Sequence, residues 1–140
     1  MTEISRAGIA DAAEILELQK LAFQSQAILY DYWSMPPLTQ TLEEIMEEFS
    51  RLRFLKATES GRIIGAVRAS LDDGTCHIGR LIVHPEFQNR GIGTLLMQAI
   101  EAEFPDAQRY ELFTGSKSER NIHLYERLGY SIIRREPVRW

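Results

Sequence analysis

The sequence has very little cysteine. Cys76 is the only one, so no disulfide can form within the chain. A lone cysteine fits a reducing compartment. Residues 1–10 lack the basic-then-apolar pattern of a secretion signal, and no apolar run approaches the length of a membrane span. We therefore expect a cytoplasmic protein with no membrane partner.

An excess of basic residues is also missing. Lys and Arg number 16 against 20 Asp and Glu, which gives a formal net charge of −4. Nucleic-acid-binding proteins usually show the opposite balance, so we expect no nucleic-acid partner. The chain has 140 residues, of which 44% are hydrophobic and 26% are charged. This composition predicts a single globular domain over residues 1–140.

The periodicity of apolar residues predicts a mixed α/β chain. Helices are predicted over residues 11–26, 41–49, 91–104 and 116–128, and strands over 2–6, 54–59, 62–71, 76–84, 110–114, 130–133 and 137–140. Capping boxes are predicted at Asp11–Glu14, Thr41–Glu44 and Ser116–Glu119, and the Pro36-Pro37 pair predicts a break in regular structure. The order predicts an α/β fold: an antiparallel meander, one parallel strand–helix–strand unit, and a mixed sheet with helices on both faces.

The segment from Val83 to Thr94 carries the most chemical information. An apolar strand ends at Val83, and Gly91 and Gly93 follow at the start of a strongly amphipathic helix. Glycines let an anion approach the backbone closely, and the first turn of a helix presents unpaired N–H groups at its positive end. Arg90 can add a charge-assisted contact. The segment therefore predicts a phosphate-binding loop.

Two common phosphate-binding loops fit this segment poorly. A dinucleotide fingerprint needs a third glycine at position 96, where this chain has leucine. A P-loop needs Gly-Lys followed by Ser or Thr, which the segment lacks. A nucleotide or dinucleotide binder is retained as an alternative that a ligand-binding test can separate.

Two motifs together resemble the Gcn5-related N-acetyltransferase (GNAT) family. Gln88-Asn89-Arg90-Gly91-Ile92-Gly93 is similar to the family's pyrophosphate motif, and residues 124–130 are similar to its Leu-Tyr-Glu-basic-Leu-Gly-aromatic segment. The resemblance implies a GNAT-like acyl-CoA N-acyltransferase fold that uses acetyl-CoA and no metal. It implies transfer of an acetyl group to a primary amine of a small molecule or peptide, by direct attack in a ternary complex. A non-catalytic acetyl-CoA sensor is the alternative, and a homodimer is possible.

The resemblance also implies which residues contact acetyl-CoA. The pantetheine arm would pair with the backbone of Leu81, Ile82 and Val83. The pyrophosphate would lie over Gln88, Asn89, Arg90, Gly91, Ile92, Gly93 and Thr94, with Gln88 shaping the turn. Many members carry asparagine seven residues before the motif tyrosine, where this chain has Ser118. Asn121, four residues before that tyrosine, could replace the contact or be ordinary helix-surface polarity.

The resemblance implies that Tyr125 is the acid that protonates the departing thiolate. One family position for a general base falls on His77, and histidine titrates near neutral pH, although a solvent-facing strand histidine explains it as well. Another such position is Phe113, which cannot act as a base. The acceptor amine would meet Tyr30, Asp31, Tyr32 and Trp33, whose aromatic faces and carboxylate suit a cation, although a hydrophobic lid over the core explains these four better.

Overall fold

The computed structural model describes residues 1–114 and 117–133. Within these residues, five strands form one sheet: β1 (Glu3–Arg6), β2 (Arg53–Glu59), β3 (Arg62–Asp72), β4 (Thr75–Val83) and β5 (Arg109–Glu111). The α-helices are α1 (Ala12–Tyr30), α2 (Pro36–Thr39), α3 (Leu42–Glu48), α4 (Ile92–Ala102) and α5 (Glu119–Arg127). Single turns of 3-10 helix cover Ile9–Asp11 and Pro85–Phe87.

The sheet has the order β1-β2-β3-β4-β5. The first four strands are antiparallel neighbours, and β4 pairs with β5 in parallel through the α4 crossover. The β4–β5 register ends where His77 lies opposite Glu111. Within the described part of the chain, residues 78–83 of β4 therefore have no β5 partner. The predicted mixed sheet is confirmed, and it leaves one side of the end of β4 unpaired.

Helices cover both faces of the sheet, as predicted. On one face, Ile15 of α1 and Ile45 of α3 pack with Phe54, Ile63 and Ile82. The opposite face holds a second apolar cluster in which α4 and Tyr125 of α5 pack against the sheet, formed by Leu55, Val67, Leu96, Met97, Ile100 and Tyr125 among others. Because helices cover both faces of the sheet, they determine from which directions another molecule can reach β4.

A β-bulge interrupts β4 at Arg80. Ala66 of β3 pairs with Ile82 and Arg68 pairs with Gly79, so two residues of β4 lie opposite one residue of β3. Arg80 takes the left-handed conformation, with φ of 52°. Such an extra residue bends a strand and redirects its side chains. The apolar pattern of β4 did not predict this bulge.

The three predicted capping boxes have different outcomes. Thr41 and Glu44 form the predicted reciprocal pair at the start of α3. The predicted Asp11–Glu14 box is wrong, because both carboxylates have other partners. Asp11 accepts a hydrogen bond from the N–H of Gly8 at 2.9 Å, and Glu14 accepts one from the N–H of Ile63 at 2.8 Å. Ser116 lies outside the described residues, and α5 begins at Glu119.

Two other expectations also need correction. The Pro36-Pro37 pair starts the short helix α2, because a proline at the first helical position loses no hydrogen bond. Residues 130–133 were predicted to be a strand, but the structure has no strand there. Tyr130 instead folds back, donating its N–H to the Tyr125 carbonyl. The strand predicted over residues 137–140 lies outside the described residues.

Candidate active site

A cleft of about 770 Å³ lies at the unpaired end of β4. Its size is in the range of small-molecule sites. The second half of α1, the loop before α4 and the start of α5 form its other walls. It brings together these predicted cofactor residues: Leu81, Ile82, Val83, Gln88, Asn89, Gly91, Ile92, Gly93, Thr94, Ser118 and Asn121. Arg90 is adjacent, with its guanidinium 4.9 Å from the centre of the Phe87 ring.

The loop before α4 presents a row of free backbone donors to this cleft. Within the described residues, the N–H groups of residues 88–94 donate no hydrogen bond. Pairing resumes at Leu95, whose N–H donates to the Gly91 carbonyl at 3.1 Å. Unpaired N–H groups at a helix N-terminus, where the helix dipole is positive, attract an anion. The arrangement is therefore chemically suited to phosphate oxygens.

The two glycines of the loop have different structural tasks. Gly91 caps α4 with φ of 78°, a conformation that residues with a Cβ rarely adopt. Gly93 lies close to α5, because an added Cβ would be 3.2 Å from Cδ2 of Leu124, which would have to shift slightly. The backbone turn therefore depends on Gly91, whereas a side chain at Gly93 would crowd Leu124.

Basic side chains reach the same cleft from α5 and the residues before it. Lys117, Arg120 and Arg127 line the wall opposite β4. Arg120 also donates a hydrogen bond to the side chain of Gln88, which joins α5 to the loop before α4. The sequence analysis missed these three cations. Their position around the Leu-Tyr-Glu motif was the signal that could have identified them.

Tyr125 is buried beneath the cleft rather than in its wall. Tyr125 is 9% exposed, and its ring packs edge-on against the ring of Tyr130, with the ring centres 6.2 Å apart. Burial raises the pKa of Tyr125 to about 12. Its hydroxyl forms no hydrogen bond within residues 1–114 and 117–133.

The structure does not bring His77 into the cleft. His77 is exposed on β4, beside Ser70 of β3 and Glu111 of β5, four residues before the first β4 residue that lines the cleft. The His77 side chain therefore does not directly contact a group bound along residues 81–83.

The predicted acceptor residues also lie outside the cleft. The Tyr30 hydroxyl accepts a hydrogen bond from the N–H of Lys117 at 2.9 Å, and Ser118 donates to Oε1 of Gln26 at 2.6 Å. These contacts join the end of α1 to the start of α5. Asp31 is the left-handed cap of α1, Tyr32 donates its N–H to the Ala27 carbonyl, and Trp33 is 56% exposed.

Two features are absent from the residues that the structure describes. None of their helices has the length and apolarity that crossing a bilayer requires. No group of three or more His, Cys, Asp or Glu side chains among them is arranged to hold a metal ion.

Comparison with known proteins identifies the class. A model of the acetyltransferase (GNAT) family matches residues 12–130, and the chain therefore belongs to that family. The chain is 28% identical over 119 residues to the UPF0157 protein YqkA of Bacillus subtilis (strain 168), covering 85% of this chain and 34% of YqkA. It spans about a third to a half of the length of the curated relatives it matches.

Solved structures confirm the fold. The PaiA N-acetyltransferase of Thermoplasma acidophilum, in complex with coenzyme A, superposes with a TM-score of 0.82 at 16% identity, covering 94% of this chain and 91% of that one. The ribosomal-protein-S18-alanine N-acetyltransferase of Escherichia coli gives a TM-score of 0.76 at 17% identity, with coverages of 92% and 77%. At these identities the likeness shows the GNAT fold alone.

Proposed function

We propose that this protein transfers an acetyl group from acetyl-CoA to a primary amine of a small molecule or peptide, by direct attack in a ternary complex. One observation carries the proposal: the free N–H groups of residues 88–94 line the same cleft as the unpaired end of β4. The first feature suits a pyrophosphate and the second suits an amide-bearing chain that adds to a strand edge. Membership of the GNAT family supports the same assignment.

The residues present fit acetyl-CoA, which would supply the acetyl group as a thioester. Residues 88–94 would hold the two phosphates, with Arg90 and Arg120 close enough to add charge. The backbone of Leu81, Ile82 and Val83 would align the pantetheine arm. Asn121 lines the same wall and can donate a further hydrogen bond, whereas the hydroxyl of Ser118 is already bonded to Gln26.

Tyr125 supplies the proton that the reaction needs. Because burial raises its pKa to about 12, its hydroxyl is protonated at neutral pH. A protonated phenol can donate to a thiolate that leaves the carbonyl carbon, which prevents the thiolate from attacking the new amide. His77 is proposed as a base only through intervening water, since it lies where β4–β5 pairing ends and outside the cleft.

The test of this assignment is Tyr125→Phe. Thiol release with a panel of amines should fall by roughly 10²- to 10⁴-fold, the range for a lost general acid, while acetyl-CoA binding stays nearly unchanged. Tyr110→Phe is the matched control, since this phenol is hydrogen-bonded to the Phe104 carbonyl at 2.8 Å on the same side of the sheet. Equal turnover in wild type and Tyr125→Phe would remove Tyr125 from the mechanism.

A non-catalytic acetyl-CoA sensor is the second candidate, and the position of His77 outside the cleft favours it. Acetyl-CoA would then raise the melting temperature while no amine releases thiol. A nucleotide binder would instead show equal stabilisation by NAD or ATP. The proposal further includes a cytoplasmic location, which is based on the single free cysteine. It also includes a single catalytic domain and homodimer formation. Size-exclusion chromatography with light scattering tests the last point.

A further inference from the structure

We propose that the acceptor amine carries a carboxylate group and that Arg80 binds it. This inference rests on the proposed acetyl transfer and names the acceptor's chemical class. It adds Arg80 to the predicted acceptor residues 30–33, which do not line the cleft.

Arg80 occupies the position where an acceptor must approach the donor. It lies three residues after the last β4–β5 pair and directly before Leu81, the first residue of β4 in the cleft. Its side chain extends to the face of the sheet that carries α1 and α3, where it donates to Oε1 of Gln40 at 3.2 Å. The bulge thus directs the Arg80 side chain toward Gln40, while the next residue of the strand, Leu81, lines the cleft.

A cluster of four other polar side chains, which we call the α1-face cluster, surrounds Arg80: Gln19, Gln40, Glu48 and Arg68. Arg68 donates to Oε1 of Glu48 at 2.7 Å and to Oε1 of Gln19 at 2.5 Å. Gln19 donates to Oε1 of Gln40 at 2.9 Å, and Gln40 donates to Oε2 of Glu48. Every side-chain acceptor of the cluster is therefore already engaged, which holds both amides in one orientation.

Arg80 does not share the ion pair of the cluster. Among the described residues, Glu48 is the carboxylate that contacts Arg68, and Glu43, Glu44 and Glu47 lie with Glu48 and Gln40 around a separate hollow. Within the described residues, Arg80 has no carboxylate within 4.0 Å, and its hydrogen-bond partner is a neutral amide. A partly buried cation is normally paired, because removal from water disfavours its charge. Burial accordingly lowers the pKa of Arg80, although Glu48 opposes that effect.

Arg80 can still accept a partner. Its hydrogen bond to Gln40 uses one N–H group, and a guanidinium carries five. A guanidinium offers a planar fork that matches the two oxygens of a carboxylate. The geometry therefore favours an amino-acid-like acceptor, with its amine directed to residues 81–83 and its carboxylate to Arg80.

The experiment compares primary amines that differ only in this group. A pool of free amino acids and a pool of the corresponding amino-acid amides are offered with acetyl-CoA, and thiol release is measured. The matching N-acetyl amino acids and N-acetyl amino-acid amides are titrated into the CoA-loaded protein by NMR, which requires no turnover. We expect the acids to be preferred by at least roughly 10-fold in one or both measurements, as for a hydrogen bond between charged groups.

Three variants test the residue. Arg80→Gln should lower kcat/KM or affinity for the acids by roughly 10- to 100-fold and leave the amides unchanged. Arg80→Lys should restore part of the preference, because it keeps the charge and loses the fork. Arg51→Gln is the control, since Arg51 is exposed and paired with Glu47 on α3. CoA-induced stabilisation of each variant shows that it is folded.

Several results would overturn the inference. The first is equal thiol release and equal NMR binding for acids and amides. The second is an acid preference that persists in Arg80→Gln, and the third is that no acid shows either turnover or NMR binding. In each case normal acetyl-CoA binding by the wild type, with thiol release to any other amine, would leave the proposed function standing. Absence of acetyl-CoA binding by the wild type would instead remove the proposed function itself.

Discussion

Replacing Glu48 with glutamine removes one negative charge from the α1-face cluster and keeps the shape of the side chain. The ion pair it breaks is well shielded, because the Arg68 side chain is 5% exposed and that of Glu48 is 18% exposed. Arg68 also lies with its guanidinium carbon 4.6 Å from the centre of the Phe54 ring, so it cannot turn to water without disturbing the core. The variant should therefore leave a buried guanidinium without its counter-ion.

The expected loss of stability follows from that burial. Removing one partner of a buried ion pair lowers the free energy of unfolding by about 3–5 kcal/mol. We expect the lower end, about 3 kcal/mol, because Glu48 retains some solvent contact. This is a large share of the roughly 5–15 kcal/mol that stabilises a typical domain. For a chain of this size it corresponds to a fall in Tm of roughly 10 °C.

Urea unfolding at neutral pH measures this loss, with calorimetry as the second readout. The control is Glu47→Gln on the same helix, because Glu47 forms an exposed pair with Arg51 and should contribute nothing measurable. A double-mutant cycle with Arg68→Met should show that the two losses are not additive, because both remove one interaction. The reasoning is refuted if Glu48→Gln unfolds at the same urea concentration as Glu47→Gln, or if the cycle is additive.

Two further predictions concern proton release and the phosphate loop. Stability should fall as the pH rises above about 9, because burial raises the pKa of Cys76 to about 11 and that of Tyr125 to about 12, against ordinary values of 9 and 10. The folded chain thus keeps protons that the unfolded chain releases. Urea midpoints from pH 8 to 11 should therefore decline less steeply in Tyr125→Phe than in wild type. Parallel declines in the two proteins would contradict the raised pKa of Tyr125. Gly93→Val should crowd Leu124 and weaken CoA binding in a calorimetric titration, and equal CoA affinity in wild type and Gly93→Val would contradict this. Gly91→Ala should mainly lower the free energy of unfolding, by about 1–2 kcal/mol, because residue 91 has a left-handed backbone.

Local patterns predicted the parts of the fold that local physics determines. The helix over 91–104 was predicted because its apolar residues repeat along one side, and α4 occupies Ile92–Ala102. The Thr41–Glu44 capping box needs partners three residues apart, and it forms as predicted. The Asp11–Glu14 box has the same spacing and does not form, because Glu14 binds the backbone of Ile63, 49 residues away. Sequence spacing cannot indicate such a competitor.

The candidate site divides in the same way. The phosphate loop is contiguous in the chain, so its glycines and its position after a strand could be identified from the sequence. Arg80 and the α1-face cluster could not, because the hydrogen bonds of the cluster join residues as far as 49 positions apart. A non-glycine residue in the left-handed conformation, as at Arg80, also has no sequence signal.

The bulge at Arg80 connects the two halves of the proposed site. Without the extra residue, the alternation of β4 would continue and position 80 would face α4 and its apolar cluster, where a guanidinium has no partner. With it, Arg80 reaches Gln40 on the opposite face, while Leu81 and Val83 still pack with the α4 cluster. One inserted residue thus allows the proposed acceptor site and the proposed donor cleft to use neighbouring residues of one strand. Because both depend on the same backbone distortion, deleting Arg80 should impair acetyl-CoA binding as well as acceptor selection, whereas Arg80→Gln should impair acceptor selection alone.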